Sequence, residues 1–192
     1  MQLIYIHGLN SDARSPKGQM LTDWCAIHRP EIKVVRPDLN VPPLQVMEIL
    51  SQAIQNDPNT GLVGSSLGGF FATACTAKFG VRSVLVNPAV RPSERFKRYF
   101  SYGQNGHTTE GGWTITQSDL IDLESLYQAT PSYPENILVL LKTGDEVLDY
   151  RVAEGYYGQA GSQCSMIIEE GGDHFMHDMA DKIPLMIDFL FG

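Results

Sequence analysis

Three side chains far apart in the sequence, Ser66, Asp145 and His174, are of the types that together perform acyl chemistry. A serine hydroxyl is a weak nucleophile at neutral pH and needs a base to take its proton. That base in turn needs a carboxylate to fix its tautomer. Ser66 is the centre of Gly64-Ser65-Ser66-Leu67-Gly68, a G-x-S-x-G pattern. In such an elbow a strand turns into a helix within a few residues and holds the serine in a strained backbone conformation. Bulky side chains two positions either side would collide across the turn, so glycine suits positions 64 and 68. An apolar strand runs in, and apolar residues at 67, 70, 71, 74, 75 and 79 predict an amphipathic helix running out. Ser65 offers a second hydroxyl, but its offset from the two glycines makes it structural.

The base must hang in a loop after a strand, and two histidines compete for that place. His174 follows Gly171-Gly172-Asp173 directly, whereas His177 is expected inside the following helix, so His174 is the candidate. Two histidines at i, i+3 on a helix face would also suit a metal, which leaves a metal-assisted hydrolase as an alternative built on residues 173–178. No second ligand cluster accompanies them. For the acid, Asp145 stands behind a glycine just after an apolar strand. Asp149 precedes an expected helix from Tyr150, where an N-cap carboxylate belongs, and Glu146 is expected to point to solvent. Two backbone N–H groups would bind the oxyanion, that of Leu67 after the nucleophile and that of Leu9 after His7-Gly8. His7 is expected to stabilise a turn, and His28 and His107 show no spacing that suggests chemistry.

Positioning such residues requires a particular scaffold. Short apolar runs at 3–6, 32–35, 62–64, 84–86, 137–141 and 166–168 predict six strands. Helices are expected over 16–28, from Pro42-Pro43, out of the elbow, near 120–127, from Tyr150, and at the C-terminus to Phe191. Alternation of strands and helices implies a mainly parallel sheet covered on both faces, because parallel neighbours need a crossover. Ligands bind such sheets beyond the carboxyl ends of the strands. His7-Gly8, Ser66, Asp145 and His174 all follow strands there, so four distant stretches converge on one edge.

Composition bounds the rest. The 192 residues are expected to form a single domain with a real core. A net charge of −8, with no basic run, argues against nucleic acid or an anionic membrane as partner. Cys25, Cys75 and Cys164 share no C-x-x-C spacing and are expected to be reduced. No signal peptide and no membrane-length apolar run is seen, so a cytoplasmic protein is expected.

The chain resembles the small bacterial esterases of the YqiA type, within the α/β-hydrolase superfamily. The similar stretches are His7-Gly8-Leu9-Asn10-Ser11, Gly64-Ser65-Ser66-Leu67-Gly68-Gly69-Phe70, Asn87-Pro88-Ala89-Val90-Arg91-Pro92, residues 143–150, and Gly171-Gly172-Asp173-His174-Phe175. The Ser…Asp…His order is also that of α/β-hydrolases. The resemblance implies an abbreviated α/β-hydrolase fold that starts at the strand carrying the oxyanion loop. It implies a carboxylic-ester or thioester hydrolase with Ser66 as nucleophile, His174 as base and Asp145 as acid. Its substrate would be a small acyl ester or thioester, with no cofactor and no metal. A catalytically idle binding module on the same fold is the alternative from another class.

Residues 91–136 form a long, glycine-interrupted interval between strands, expected to be an insertion that serves as a lid. Its aromatic residues Phe96, Tyr99, Phe100, Tyr102 and Trp113 either line an acyl pocket, with Tyr102 and Trp113 as the candidates, or form a small core of the insertion itself.

Overall fold

The computed structural model describes residues 1–100, 106–159 and 164–192. Six strands form one sheet: Gln2–Ile6 (β1), Lys33–Val35 (β2), Thr60–Ser65 (β3), Ser83–Val86 (β4), Ile137–Lys142 (β7) and Ser165–Glu169 (β8). Their order is β2-β1-β3-β4-β7-β8, and every neighbouring pair is parallel. The chain winds outward from β1 in both directions, so strand order reverses between β1 and β3. That reversal opens a crevice at the carboxyl ends of those two strands, where doubly wound sheets bind ligands.

The period-two alternation of a strand sorts its side chains onto two faces. Ile4, Ile6, Leu62, Leu85, Val139 and Leu141 join one buried cluster, and Leu3, Tyr5, Val63, Val84, Val86, Leu138 and Leu140 join the other. Helices Pro16–His28 (α1) and Met179–Phe191 (α7) cover the second face. Pro43–Gln55 (α2), Leu67–Phe79 (α3) and Tyr150–Tyr157 (α6) cover the first. With both faces covered, the central strands are apolar throughout, as parallel strands usually are. No described helix is long and apolar enough to cross a membrane.

Two expectations are corrected here. The elbow helix α3 is not amphipathic: every residue from Leu67 to Thr76 is buried. Gly68, Gly69, Ala72 and Ala74 let neighbouring elements approach on several sides. Its polar residues are satisfied internally, Thr73 with Gly69 O and Tyr157 Oη, Thr76 with Ser83 Oγ. Second, α7 starts only at Met179, so His177 lies in the turn before it rather than within the helix.

The interval 91–136 contains Pro92–Phe96 (α4), a hairpin of His107–Thr108 (β5) with Thr114–Ile115 (β6), and Gln117–Leu126 (α5). Helix α5 starts three residues before the expected position, because Thr116 and Asp119 form a capping box that ties its first turn. Phe96, Trp113, Ile115 and Leu123 are buried in the same cluster as Leu50, Phe70 and Phe71. The insertion therefore extends the main core and has no separate one.

The sharpest packing constraint lies at the elbow. A Cβ on Gly68 would stand 2.0 Å from the Ile6 carbonyl oxygen, and one on Gly64 would stand 2.4 Å from that of Gly68. Both obstacles are backbone and cannot rotate away. Gly68→Ala is expected to cost on the order of 3 kcal/mol or more by overpacking. Gly155 in α6 has nothing within 4 Å of a would-be Cβ, so Gly155→Ala is expected to gain about 0.5–1 kcal/mol in helix propensity. Urea denaturation of the two variants checks both signs.

Candidate active site

Ser66 stands at the carboxyl end of β3 with φ 55° and ψ −119°, in the left-handed region that a non-glycine residue rarely occupies. Its backbone is held on both sides. Its N–H donates to Val86 O at 3.0 Å, and its carbonyl accepts from Gly69 and Ala89 N–H, each at 2.9 Å. Three hydrogen bonds thus hold a conformation that costs of order 1–3 kcal/mol. The hydroxyl faces two cavities instead of disappearing into the helix.

Asp145 and His174 meet across the edge of the sheet. His174 Nδ1 donates to Asp145 Oδ2 at 2.7 Å, with the Asp145 side chain only 2% exposed. The other carboxylate oxygen accepts from the N–H groups of Val147 and Leu148, both at 2.8 Å. A buried carboxylate with three donors is compensated and fixed in place. With its Nδ1 proton engaged, His174 presents Nε2 as an acceptor, and the ring lines both cavities that Ser66 lines. His177 is paired elsewhere, its Nδ1 on Asp173 at 2.5 Å, with its side chain 75% exposed. Asp149 caps α6 through the Arg151 N–H and pairs with that arginine's side chain.

The loop after β1 runs close beside Ser66, since a Cβ on Gly8 would stand 3.1 Å from the Cβ of Ser66. Leu9, Leu67, Ser66 and His174 line one cavity together. Among the described residues, no group accepts from the N–H of Leu9 or Leu67, so both are free for an oxyanion. His7 shapes this loop from behind. Its Nε2 accepts from the Leu39 N–H at 2.9 Å, so the proton sits on Nδ1, which donates to Gly8 O at 2.9 Å. Asp38 lies 3.8 Å from the same Nε2, but a nitrogen that accepts from a backbone N–H carries no proton to pair with it.

The cavity on the Leu67 side, about 270 Å³, is lined by Ala89, Pro92, Phe96, Tyr99, Val147 and Leu148, and by Arg95 and Arg98. Phe96 and Tyr99 therefore stand where the sequence suggested an acyl pocket. Trp113 does not. It is 6% exposed and packs edge-on against Phe96, behind the Gly8-Leu9 loop. The β5–β6 hairpin folds back onto the core and sets Trp113 in the wall of a small cavity with Leu9, Leu67 and Phe71. Tyr102 lies outside the described residues.

Three contributors carried no readable signal in the sequence. Glu146, expected to point to solvent, accepts the His174 backbone N–H at 3.0 Å. Asn87, buried and at φ 42°, donates to the carbonyls of Asp173 and His174 and accepts from Lys142 N–H. It thereby ties the loop that carries His174 to β4 and β7. Lys17 is 7% exposed and reaches Ser65 Oγ at 3.2 Å. Nitrogen-15 NMR of the histidine rings should find His7 as the neutral Nδ1–H tautomer, and a Nε2–H signal would contradict this network. His7→Leu, which leaves Gly8 O and Leu39 N–H unpaired, should lose about 2–4 kcal/mol of stability in denaturant titrations.

Comparison with known proteins agrees with this architecture. A putative hydrolase from Agrobacterium vitis S4 superposes with a TM-score of 0.76 at 15% identity, over 100% of this chain and 88% of that one. Est1E from Butyrivibrio proteoclasticus gives 0.74 at 12% identity, over 98% and 87%. The monoacylglycerol lipase of Paleococcus ferrophilus gives 0.68 at 12% identity, over 98% and 94%. At such identities the likeness is one of fold, and the fold is that of the α/β-hydrolases. The model of the uncharacterised protein family UPF0227, the YqiA family, matches residues 2–191, and the chain belongs to that family.

Proposed function

We propose that the protein is a serine esterase that hydrolyses carboxylic esters or acyl thioesters through an acyl-enzyme. The observation that carries this reading is the hydrogen bond from His174 Nδ1 to the buried Asp145, beside a serine held at positive φ on the same sheet edge. The monoacylglycerol lipase among the structural relatives lends it support. Ser66 Oγ attacks the acyl carbonyl while His174 Nε2 takes its proton, and Asp145 stabilises the imidazolium without becoming protonated. The carbonyl oxygen, now negative, accepts from the N–H groups of Leu9 and Leu67. His174 then returns the proton to the departing alcohol or thiol, which leaves the acyl group on Ser66. In the second half, His174 takes a proton from water, the hydroxide attacks the acyl carbonyl, and Ser66 is released with its proton restored. Every step uses side chains and backbone of this chain alone. The apolar cavity beside Leu67 receives the acyl chain, with Phe96 and Tyr99 as its walls.

Asp145 and Asp149 separate the reading from its competitors. Asp145→Asn is expected to remain folded and lower kcat on 4-nitrophenyl butyrate by about 10³–10⁴, because the imidazole loses its orienting carboxylate. Asp149→Asn should leave turnover and stability nearly unchanged, since asparagine also caps helices. A fluorophosphonate probe should label the wild type and not Ser66→Ala. Equal labelling of both, or inactivity of the Asp149 variant alone, would overturn the assignment.

A further inference from the structure

Two lysines are buried in this protein, and they are buried differently. Lys142, 5% exposed, meets Glu169 and Asp178, each at 2.6 Å, so its charge is matched. Lys17, 7% exposed, has no carboxylate within ion-pair distance among the described residues. Among the described residues its ammonium contacts Ser65 Oγ and the face of Phe175, whose ring centroid is 4.2 Å away. A desolvated ammonium with no carboxylate in ion-pair contact is costly.

Lys17 lines a second cavity of about 420 Å³, which Ser66 and His174 line too. It is the more polar of the two, with Asn10, Ser11, Ser15, Ser65 and Glu146 in its lining. Tyr5 Oη and Ser15 Oγ bond each other at 3.1 Å on its wall, beside Ser65. The N-terminus of α1, a helix of 13 residues, opens into it at Ser15 and Pro16, and no side chain caps that helix. The positive end of the helix and the ammonium therefore act in the same direction.

We infer that this cavity holds an anionic group, a carboxylate or a phosphate, on the alcohol or thiol side of the substrate, with Lys17 as its counter-ion. The inference rests on the serine-esterase reading of Ser66. The apolar cavity takes the acyl chain, so the remaining half of the ester, which leaves first, occupies the polar cavity. A single ammonium next to Ser65 places the anion within a few bonds of the scissile oxygen. The substrate class is thus acyl esters of short hydroxy acids or of phosphate-bearing alcohols, and the corresponding thioesters.

The groups that face Lys17 are Tyr5 from β1, Asp145 and Glu146 from the loop after β7, and Asp173 and His174 from the loop after β8. Burial pushes the Lys17 ammonium down to about 8, against the pull of Asp173 and Asp145. Lys17 is therefore charged at pH 7 and loses its charge as pH rises past about 8, so recognition of an anion should fade over that interval. Proton transfer by His174 serves charged and neutral substrates alike, and a ratio of two substrates removes it; the carboxylates of Asp145, Glu146 and Asp173 oppose an anion, so a ratio above one is a demand on Lys17.

The test compares butyryl esters of glycolate, 3-hydroxypropanoate and 4-hydroxybutyrate with those of the matching hydroxy amides, and the butyryl ester of 2-hydroxyethyl phosphate with that of its neutral dimethyl phosphate triester. At pH 7 the wild type should show kcat/KM at least tenfold higher for one anionic ester than for its neutral partner, and the larger ratio identifies carboxylate or phosphate. In Lys17→Met that ratio should fall to about one. In the wild type alone it should fall about tenfold between pH 7 and 9, which keeps the test available if the variant does not fold. Turnover of 4-nitrophenyl butyrate with anionic ratios of one or less, or a ratio that survives in Lys17→Met, overturns the inference and leaves the esterase reading standing. Absence of Ser66-dependent turnover on every ester overturns the esterase reading itself.

Discussion

The close passage of the β3–α3 turn beneath the end of β1 is the constraint on which the rest of the structure depends. Gly68 leaves its backbone against the Ile6 carbonyl with no room for a side chain, and Gly64 does the same against Gly68. That contact brings the loop after β1 alongside Ser66, and it lets α3 sink into the core on all sides. It also forces Ser66 to positive φ, with its backbone bonds satisfied by β4 and by α3 itself. A wider turn would bury the hydroxyl in the helix or part it from the Gly8-Leu9 loop. Fold stability and site geometry therefore share one set of atoms, and strain at Ser66 is sustained by packing that the core needs anyway.

The other half of the site is held by hydrogen bonds more than by packing. Asp145 spends one oxygen on two N–H groups of its own loop and the other on His174. The His174 backbone is anchored independently, by Glu146 at its N–H and by Asn87 at its carbonyl. Lys142 fastens the start of this region to Asp178 and Glu169. An imidazole hanging from an exposed loop is thus located from four directions, which a proton shuttle needs if it is to serve both a serine and a leaving group.

How much of this the sequence discloses follows from the range of the interactions. The strands are legible because each is a short apolar run stopped by Pro, Gly or Asp, and observed ends lie within two residues of the expected ones. The parallel order and the convergence of His7-Gly8, Ser66, Asp145 and His174 follow from alternation and topology. What escaped depends on tertiary neighbours. The burial of α3 on every side needs the small residues opposite it. Trp113 is aromatic and so invites a place at a pocket, but it stands at the end of the hairpin loop 109–113, which turns it into the core. The bonds from Glu146 to His174 and from Lys17 to Ser65 span 28 and 48 residues, with no local pattern to announce them.

In the proposed reaction Ser66 becomes covalently acylated and His174 releases the acyl group. Mass spectrometry of wild-type protein quenched in acid within milliseconds of mixing with 4-nitrophenyl butyrate reads this intermediate. A butyryl adduct is expected on the peptide that contains Ser66 and on no other, formed in a burst stoichiometric with enzyme and gone once substrate is exhausted. Steady turnover with no covalent adduct, or an adduct on any other residue, would contradict it.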